Sequence, residues 1–344
     1  MKKLTTCVLT LLLLAIAASN VFAVSEAAVL FLLISPNARA GGMGEAFVGV
    51  ADDVSAVYWN PAGLAFQQGK QFSSMYSRWL PQFNFNDLYF LFGAYRQSIE
   101  GLGTVGLNVT YINLGEQTIT DEGGPDPVGT FNSNEFAITL SYGTLLSENF
   151  GVGLNVRYIR SNLSSVGAGT EKGDGRANAF AVDLGMLKKS FLLSRLNLGM
   201  NLSNIGPKIT YVDASQADPL PTNFRLGLAY RAIEQEYNRL TFVFDVNKLI
   251  VNKHDDGTSD SVIKSLVTAW GNNNYILNAG AEYWYANLIA LRAGYNFDDA
   301  GEANYLTIGA GLRYAIYQFD FGYISAGPNH PLSDTMRFSL TVGK

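Results

Sequence analysis

The chain has 344 residues, a formal charge of −5 and 15% charged side chains, well under the about 25% of soluble domains. Its acidic balance excludes nucleic acid as the natural partner. Its one cysteine, Cys7, excludes a disulfide scaffold and a thiolate metal site.

The first element in chain order is a targeting signal. Lys2 and Lys3, the apolar run Val8–Ala18 and the small-residue sequence Val21-Phe22-Ala23 have the layout of a cleavable secretory signal, 1–23. Cys7 lies too early in it for a lipid anchor. A second apolar stretch, Ala27–Ile34, is far short of the about 20 residues a membrane helix needs. It reads as mature sequence packed against protein, and no mature segment offers a helical span.

Residues 24–69 do not alternate. They are rich in Gly and Ala, and carry Asp52, Asp53 and the sequence Asn60-Pro61-Ala62-Gly63. Proline fixes one backbone angle there and glycine frees another, the chemistry of a rigid turn; a ligand gate is the sharper option.

From 70 to 344 the signal is period two. Leu196, Leu198, Met200 and Leu202 share one face, while Asn197, Gly199, Asn201 and Ser203 share the other. About fourteen such stretches follow one another, near 70–80, 86–97, 102–113, 134–145, 150–161, 177–188, 195–204, 222–232, 239–248, 274–285, 288–297, 305–316, 317–326 and 334–344. A soluble sandwich also alternates, but its wet faces would be rich in Lys and Glu. Here the wet faces carry Gly, Asn, Ser, Thr and Arg, and the oily faces carry Tyr near strand ends, as at Tyr111, Tyr142, Tyr158, Tyr230 and Tyr295. The expected fold is therefore all-β transmembrane: an antiparallel outer-membrane β-barrel with a polar lumen and aromatic girdles.

Irregular backbone at membrane depth is tolerated only where protein or water surrounds it. The segment 24–69 is accordingly expected to be a plug, or hatch, inside the barrel, with a periplasmic tail as the alternative. Connections near 147–149, 286–287 and 317 are tight and should face the periplasm. Those at 114–133, 162–176, 205–221 and 249–273 are long and should face outward. Helical spacing of Val262, Leu266 and Ala269 within Ser259–Trp270 predicts a short helix in the last of these.

Arg157, Arg195, Arg225, Arg292, Arg313 and Arg337, with Asp183, Asp245, Glu282 and Asp320, fall on expected inward faces. With both signs mixed they read as mutually neutralising pairs that hold the plug, rather than as a solute-selecting path. Asp52 and Asp53 are expected to meet this Arg-rich wall. No catalytic set stands out: His330, Ser333 and Asp334 share one short loop and have no reason to align as a triad. Asp298-Asp-Ala-Gly-Glu302 and Asp121-Glu-Gly-Gly124 lack the ligand spacing of a calcium loop, so neither a metal nor a cofactor is called for.

Pro36-Asn-Ala-Arg39-Ala-Gly41-Gly42-Met43-Gly44-Glu-Ala-Phe47, then Ala51-Asp52-Asp53 and Tyr58-Trp-Asn60-Pro61-Ala62-Gly63-Leu-Ala65, resemble the N-terminal motif of the PorV/PorQ family of FadL-like barrels. Three further stretches, Leu114–Asp121, Gly129–Ile138 and His330–Leu340, resemble its type IX (Por) secretion members. The terminal Lys344, where many outer-membrane barrels end in an aromatic, departs from the usual pattern.

The resemblance implies an integral protein of the bacterial outer membrane that is not an enzyme. Such a barrel binds the C-terminal signal domains of secreted cargo and passes them from the translocon to a surface attachment complex. Its partners would be those proteins and outer-membrane lipid. The loop 114–133, holding Phe131 and leading to Asn134, is the candidate cargo contact. The alternative is a FadL-like transporter of fatty acids or other hydrophobic solutes.

Overall fold

A computed structural model describes residues 27–343 apart from 84, 86, 122–123, 165–174, 214–215, 255, 272–273, 299–300, 302 and 329. The signal 1–23, Lys344 and parts of both acidic turns lie outside the described residues. Ahead of the first strand come a 3₁₀ turn (Leu30–Leu33), the one-turn helices α1 (Ala38–Gly41) and α2 (Ala56–Trp59), and a second 3₁₀ turn (Pro61–Phe66). The strands are β1 (Lys70–Arg78), β2 (Leu88–Ile99), β3 (Gly103–Asp121), β4 (Gly124–Ser147), β5 (Phe150–Asn162), β6 (Arg176–Lys188) and β7 (Leu196–Ile205). They continue as β8 (Asn223–Glu234), β9 (Asn238–Leu249), β10 (Tyr275–Tyr285), β11 (Ile289–Asp298), β12 (Tyr305–Tyr314), β13 (Tyr317–Ser325) and β14 (Thr335–Gly343). A helix α3 (Val262–Thr268) precedes β10.

Each strand pairs antiparallel with its neighbour in sequence, and β1 pairs with β14, closing a barrel of fourteen strands. Closure leaves every transmembrane strand a partner on both sides, the condition for β-structure in lipid. The alternation reads directly as burial. In β6 every odd residue from Ala177 to Leu187 is buried and every even residue from Asn178 to Met186 is exposed. Lipid therefore meets Phe180, Leu184 and Met186, while Asp183 faces the lumen. Stacked, tilted and edge-on rings run along the outer rim from Tyr76 through Tyr89 to Tyr111, and from Phe136 through Tyr158 to Phe180. They form one girdle of the kind that marks a lipid–water boundary.

The connections sort by end. Those at 100–102, 148–149, 189–195, 235–237, 286–288 and 315–316 share one end with the start of β1, and the longer ones share the other. Two long connections differ from expectation. Residues 114–133 were expected as a loop, but most of them extend β3 and β4 into a two-stranded ribbon beyond the neighbouring strands. Thr118, Ile119, Thr130 and Phe131 of this ladder are good strand formers. Register shifts at Gly115 and at Thr120 absorb the irregular residues, and Pro127 is tolerated because the ribbon has free edges. At its base, Asp87 accepts the backbone N–H of Glu116 at 2.9 Å, and its carbonyl accepts Asn113 Nδ2 at 2.7 Å. The connection 206–222 folds inward, burying Ile209 and Leu220, rather than standing outside. The helix expected within Ser259–Trp270 is α3.

Candidate functional site

The N-terminal segment is bound from end to end by inward-facing groups of the wall. It starts beside the inturned connection, where Ala28 N–H donates to Pro219 O at 3.1 Å. The segment then travels round the lumen in descending strand order. Helix α1 lies on β14, β13 and β12, with Ala38 N–H donating to Ser339 Oγ at 2.8 Å. Gly44 follows at β12 and β10, donating to Thr307 Oγ1 at 2.8 Å and accepting Asn278 Nδ2 at 2.5 Å. The N–H groups of Phe47 and Val48 both donate to Asp245 Oδ2 of β9, at 2.8 and 2.9 Å. Asn60 Nδ2 donates to Met186 O of β6 at 2.9 Å, and Asn155 Nδ2 of β5 donates to Val57 O at 2.9 Å. Irregular backbone buried this deeply must find partners or cost stability; here the wall supplies them.

Close approach requires small residues on both sides. A methyl group at Gly294 would overlap Gly44 N, one at Gly199 would overlap the Val48 carbonyl, and one at Gly153 would overlap Pro61. Gly42 of the segment faces Gly309, whose Cα would lie 2.9 Å from an added methyl. On the other side of Gly42, a methyl at Gly41 would meet Arg337 Nη1 at 2.7 Å. Several of these wall glycines are direct cross-strand partners: Gly294 with Gly280, Gly309 with Gly322, Gly227 with Gly199, and Gly153 with Gly185 and Gly143. The abundant glycine of the inward faces, read from sequence as polar lumen, is thus a seat for the segment's backbone.

Arg39 is the electrostatic centre. It pairs with Asp52 at 2.6 Å, Asp53 at 2.9 Å and Glu282 of β10 at 2.8 Å, and its guanidinium lies 5.1 Å from the Phe47 ring centre. Glu282 also holds Arg292 at 2.8 Å, and Arg292 reaches Asp320 at 2.9 Å. Arg337 pairs with Glu45 at 2.8 Å, and Arg157 with Asp183 at 2.7 Å. Arg225 lies over Tyr58 and Trp59 at 5.3 and 4.9 Å.

The expectation for Asp52 and Asp53 is corrected by this arrangement. They bond not to wall arginines but to Arg39 of their own segment, and the charge link to the wall has the opposite sense, Arg39 to Glu282. Arg195 is also corrected. It lies exposed on the short turn before β7, bonded to the Ala232 carbonyl, because its strand has already left the lumen there.

Asn60-Pro61-Ala62-Gly63 forms the start of the second 3₁₀ turn. Asn60 Oδ1 accepts Ala62 N–H at 3.1 Å and Pro61 occupies the first helical position. Gly63 abuts the Ala51 carbonyl with no room for a side chain. Met43 is fully buried, and its carbonyl is the nearest atom to a methyl placed on Gly280. Phe131 shares a face of the ribbon with Ser133 and Glu135, the face turned to the barrel axis, whereas Asn134 is spent on Asn162 Nδ2 at 3.1 Å. In the 326–334 connection Ser333 Oγ donates to the Gly327 carbonyl at 2.5 Å, His330 Nδ1 accepts Leu332 N–H at 3.1 Å and Asp334 accepts Gln82 Nε2 at 2.7 Å, so each polar group serves a separate local bond.

At the short-turn end a cavity of about 290 Å³ lies beneath the segment, walled by Arg39, Asp52, Lys189, Arg239, Glu282 and Arg313 among others. The Lys189 ammonium sits 4.1 Å from the Phe66 ring centre, and burial pulls its pKa down from the usual lysine value. The cavity is polar and of mixed sign.

A family model described as Type IX secretion system protein PorV matches residues 17–256. The chain belongs to the PorV family of the type IX secretion system. The fold of this PorV-family barrel is FadL-like and locates it in the outer membrane. It is similar to the Ralstonia pickettii toluene transporter TbuX, with TM-score 0.56 and 13% identity, covering 90% of this chain and 98% of that one. A Pseudomonas aeruginosa FadL homologue gives 0.55 and 12%, covering 89% and 97%. The P. putida toluene transporter TodX gives 0.53 and 13%, covering 90% and 97%. At such identity the likeness carries the fold alone. No curated protein sequence matches the chain.

Proposed function

We propose that this PorV-family barrel binds the C-terminal signal domains of secreted cargo on its outer face and passes them from the translocon to the surface attachment complex. The N-terminal segment acts as a fixed plug. The observation that supports this reading is the β3–β4 ribbon, which extends past the wall, pairs with no other strand among the described residues, and has Val128 57% exposed near its tip. Free strand edges and exposed apolar side chains suit a protein partner. Below it the lumen is occupied by a segment hydrogen-bonded to strands all round the wall, from β14 to β1, and seated on glycine, which favours a seal over a gate.

Transport of a hydrophobic solute is the weaker reading, because the cavity beneath the segment is lined by charged groups that would have to be desolvated against an acyl chain. Replacing 119–131 with a Gly/Ser linker should abolish co-purification of an isolated cargo signal domain while leaving barrel assembly intact. Unchanged co-purification would overturn the assignment of the ribbon, and fatty-acid uptake without domain binding would favour transport.

A further inference from the structure

The connection 250–274 carries a helix whose apolar side is not covered by any of the described residues. Ile263 is 79% exposed, Val267 78% and Trp270 43%. Their spacing of four and then three residues puts them on one face of α3 and the 3₁₀ turn Ala269–Gly271 that continues it. The opposite side is fastened to protein: Ser265 and Ala269 are buried, and Lys264 Nζ and Thr268 Oγ1 both donate to the buried Asp260, at 2.6 and 2.8 Å.

Two contacts show where this face lies. The Trp270 ring meets Phe224 edge-on at 5.6 Å. Phe224 begins the outward row Phe224, Leu226, Leu228, Tyr230 of β8, apolar in the middle and aromatic at both ends, as a strand crossing two lipid–water boundaries should be. Lys248 of β9, the cross-strand partner of Phe224, belongs to the same outward side yet is fully buried. Its ammonium lies 4.4 Å from the Tyr275 ring centre and donates to Asn274 Oδ1 at 2.5 Å. From Ser259, whose carbonyl accepts Lys208 Nζ of the inturned connection at 2.6 Å, the chain therefore carries α3 and Trp270 over the outside of the wall, onto its lipid side.

We propose that residues 262–271 form an interfacial helix whose face of Ile263, Val267 and Trp270 rests in the outer leaflet, at the boundary of head groups and acyl chains. The indole lies at the level of the girdle residue Phe224, where an amphipathic ring is at home. The face continues a surface that already meets lipid, and short amphipathic helices bind this boundary through buried apolar area. Three side chains are far too few for a stable protein interface, which takes about 800 Å² from each partner.

The test uses the whole barrel in phosphatidylcholine vesicles. With Cys7→Ser the sequence has no other cysteine, so Ile263→Cys, Val267→Cys and, at the exposed residue before the helix, Ser261→Cys each carry one nitroxide label, with heat-modifiable gel mobility confirming assembly. Labels at 263 and 267 should be accessible to oxygen and at least several-fold less accessible to a water-soluble nickel chelate, and the label at 261 should show the reverse order. Equal access of the chelate to all three positions would put the helix in water and overturn the proposal. Protection of 263 and 267 from both reagents would mean a protein, such as a second copy, covers the face, and would overturn it equally.

Discussion

Arg39 of the N-terminal segment and Glu282 of β10 meet through two parallel hydrogen bonds of 2.8 Å each, from Nε and Nη2 to the two carboxylate oxygens. This bidentate geometry is the strongest form of an arginine–carboxylate contact. It ties the segment to the wall across 243 residues of sequence. Replacing Arg39 with Met leaves Asp53 buried without a cation and Glu282 with Arg292 alone, and should cost about 3–5 kcal/mol. Glu282→Gln should cost less, because Arg39 keeps Asp52 and Asp53. Guanidinium unfolding of the two single variants and the double variant, as a cycle, measures the coupling.

The glycine seat makes a contrast between two similar substitutions. Gly294→Ala would drive a methyl into the backbone of Gly44, whereas at Gly93, on the lipid side of β2, a methyl meets nothing within 4 Å. The first should leave the barrel assembled but loosen the segment, seen as faster proteolysis within 27–69 and higher conductance in planar bilayers. The second should behave as wild type in both assays.

Facing decides the cost of charge in the wall. Leu140, 63% exposed between Phe136 and Tyr142 on the lipid side of β4, should lose about 2–4 kcal/mol as Leu140→Arg, the range for a cation near the bilayer midplane. Asn197→Asp adds a charge too, but toward the cavity that Lys189 and Arg239 also line, and should be tolerated. Refolding yields into vesicles compare them.

The connection 250–274 has a built-in response to acid. Hydrogen bonds from Lys264, His254, Asn252 and Thr268 hold the Asp260 carboxyl below the ordinary aspartate range. A carboxyl depressed in this way stabilises the fold above its unfolded pKa, about 3.9, and that stability is lost as pH falls through the lower, folded value. The anisotropy of a fluorophore on Val267→Cys should therefore stay flat from neutral pH to about 4 and fall on further acidification. In an Asp260→Asn background it should be low throughout.

Much of the barrel was legible because its cause is local. Leu196, Leu198, Met200 and Leu202 alternate with polar residues whatever surrounds them, so the strand, its period and its lipid face follow from side-chain chemistry alone. The same holds for Asn60-Pro61-Ala62-Gly63, whose proline and glycine make a rigid turn by local chemistry, and for the Val262–Thr268 helix. The ribbon was not legible. Gly115, Gly124 and Pro127 carry loop chemistry, and only the pairing of Gln117 with Phe131 and the clasp of Asp87 make them strand.

For the candidate site the division is sharper. Mixed signs on the inward faces, with Arg292, Glu282 and Asp320 among them, already implied neutralising pairs rather than a selective path. Which charge meets which was not implied. Asp52 and Asp53 are only slightly nearer in sequence to Arg39 than to the first wall strand, and such spacing does not say that a chain doubles back on itself inside a lumen.

By itself the sequence determined a closed, lipid-facing barrel with an irregular N-terminal segment, because hydrophobic alternation and turn chemistry act over a few residues. Only the tertiary structure decided that inward glycines of separate strands line up as one seat, that Arg39 links to Glu282, and that the 250–274 connection descends on the lipid side. Those are relations between residues brought together by closure of the sheet, and no local pattern encodes the register at which it closes.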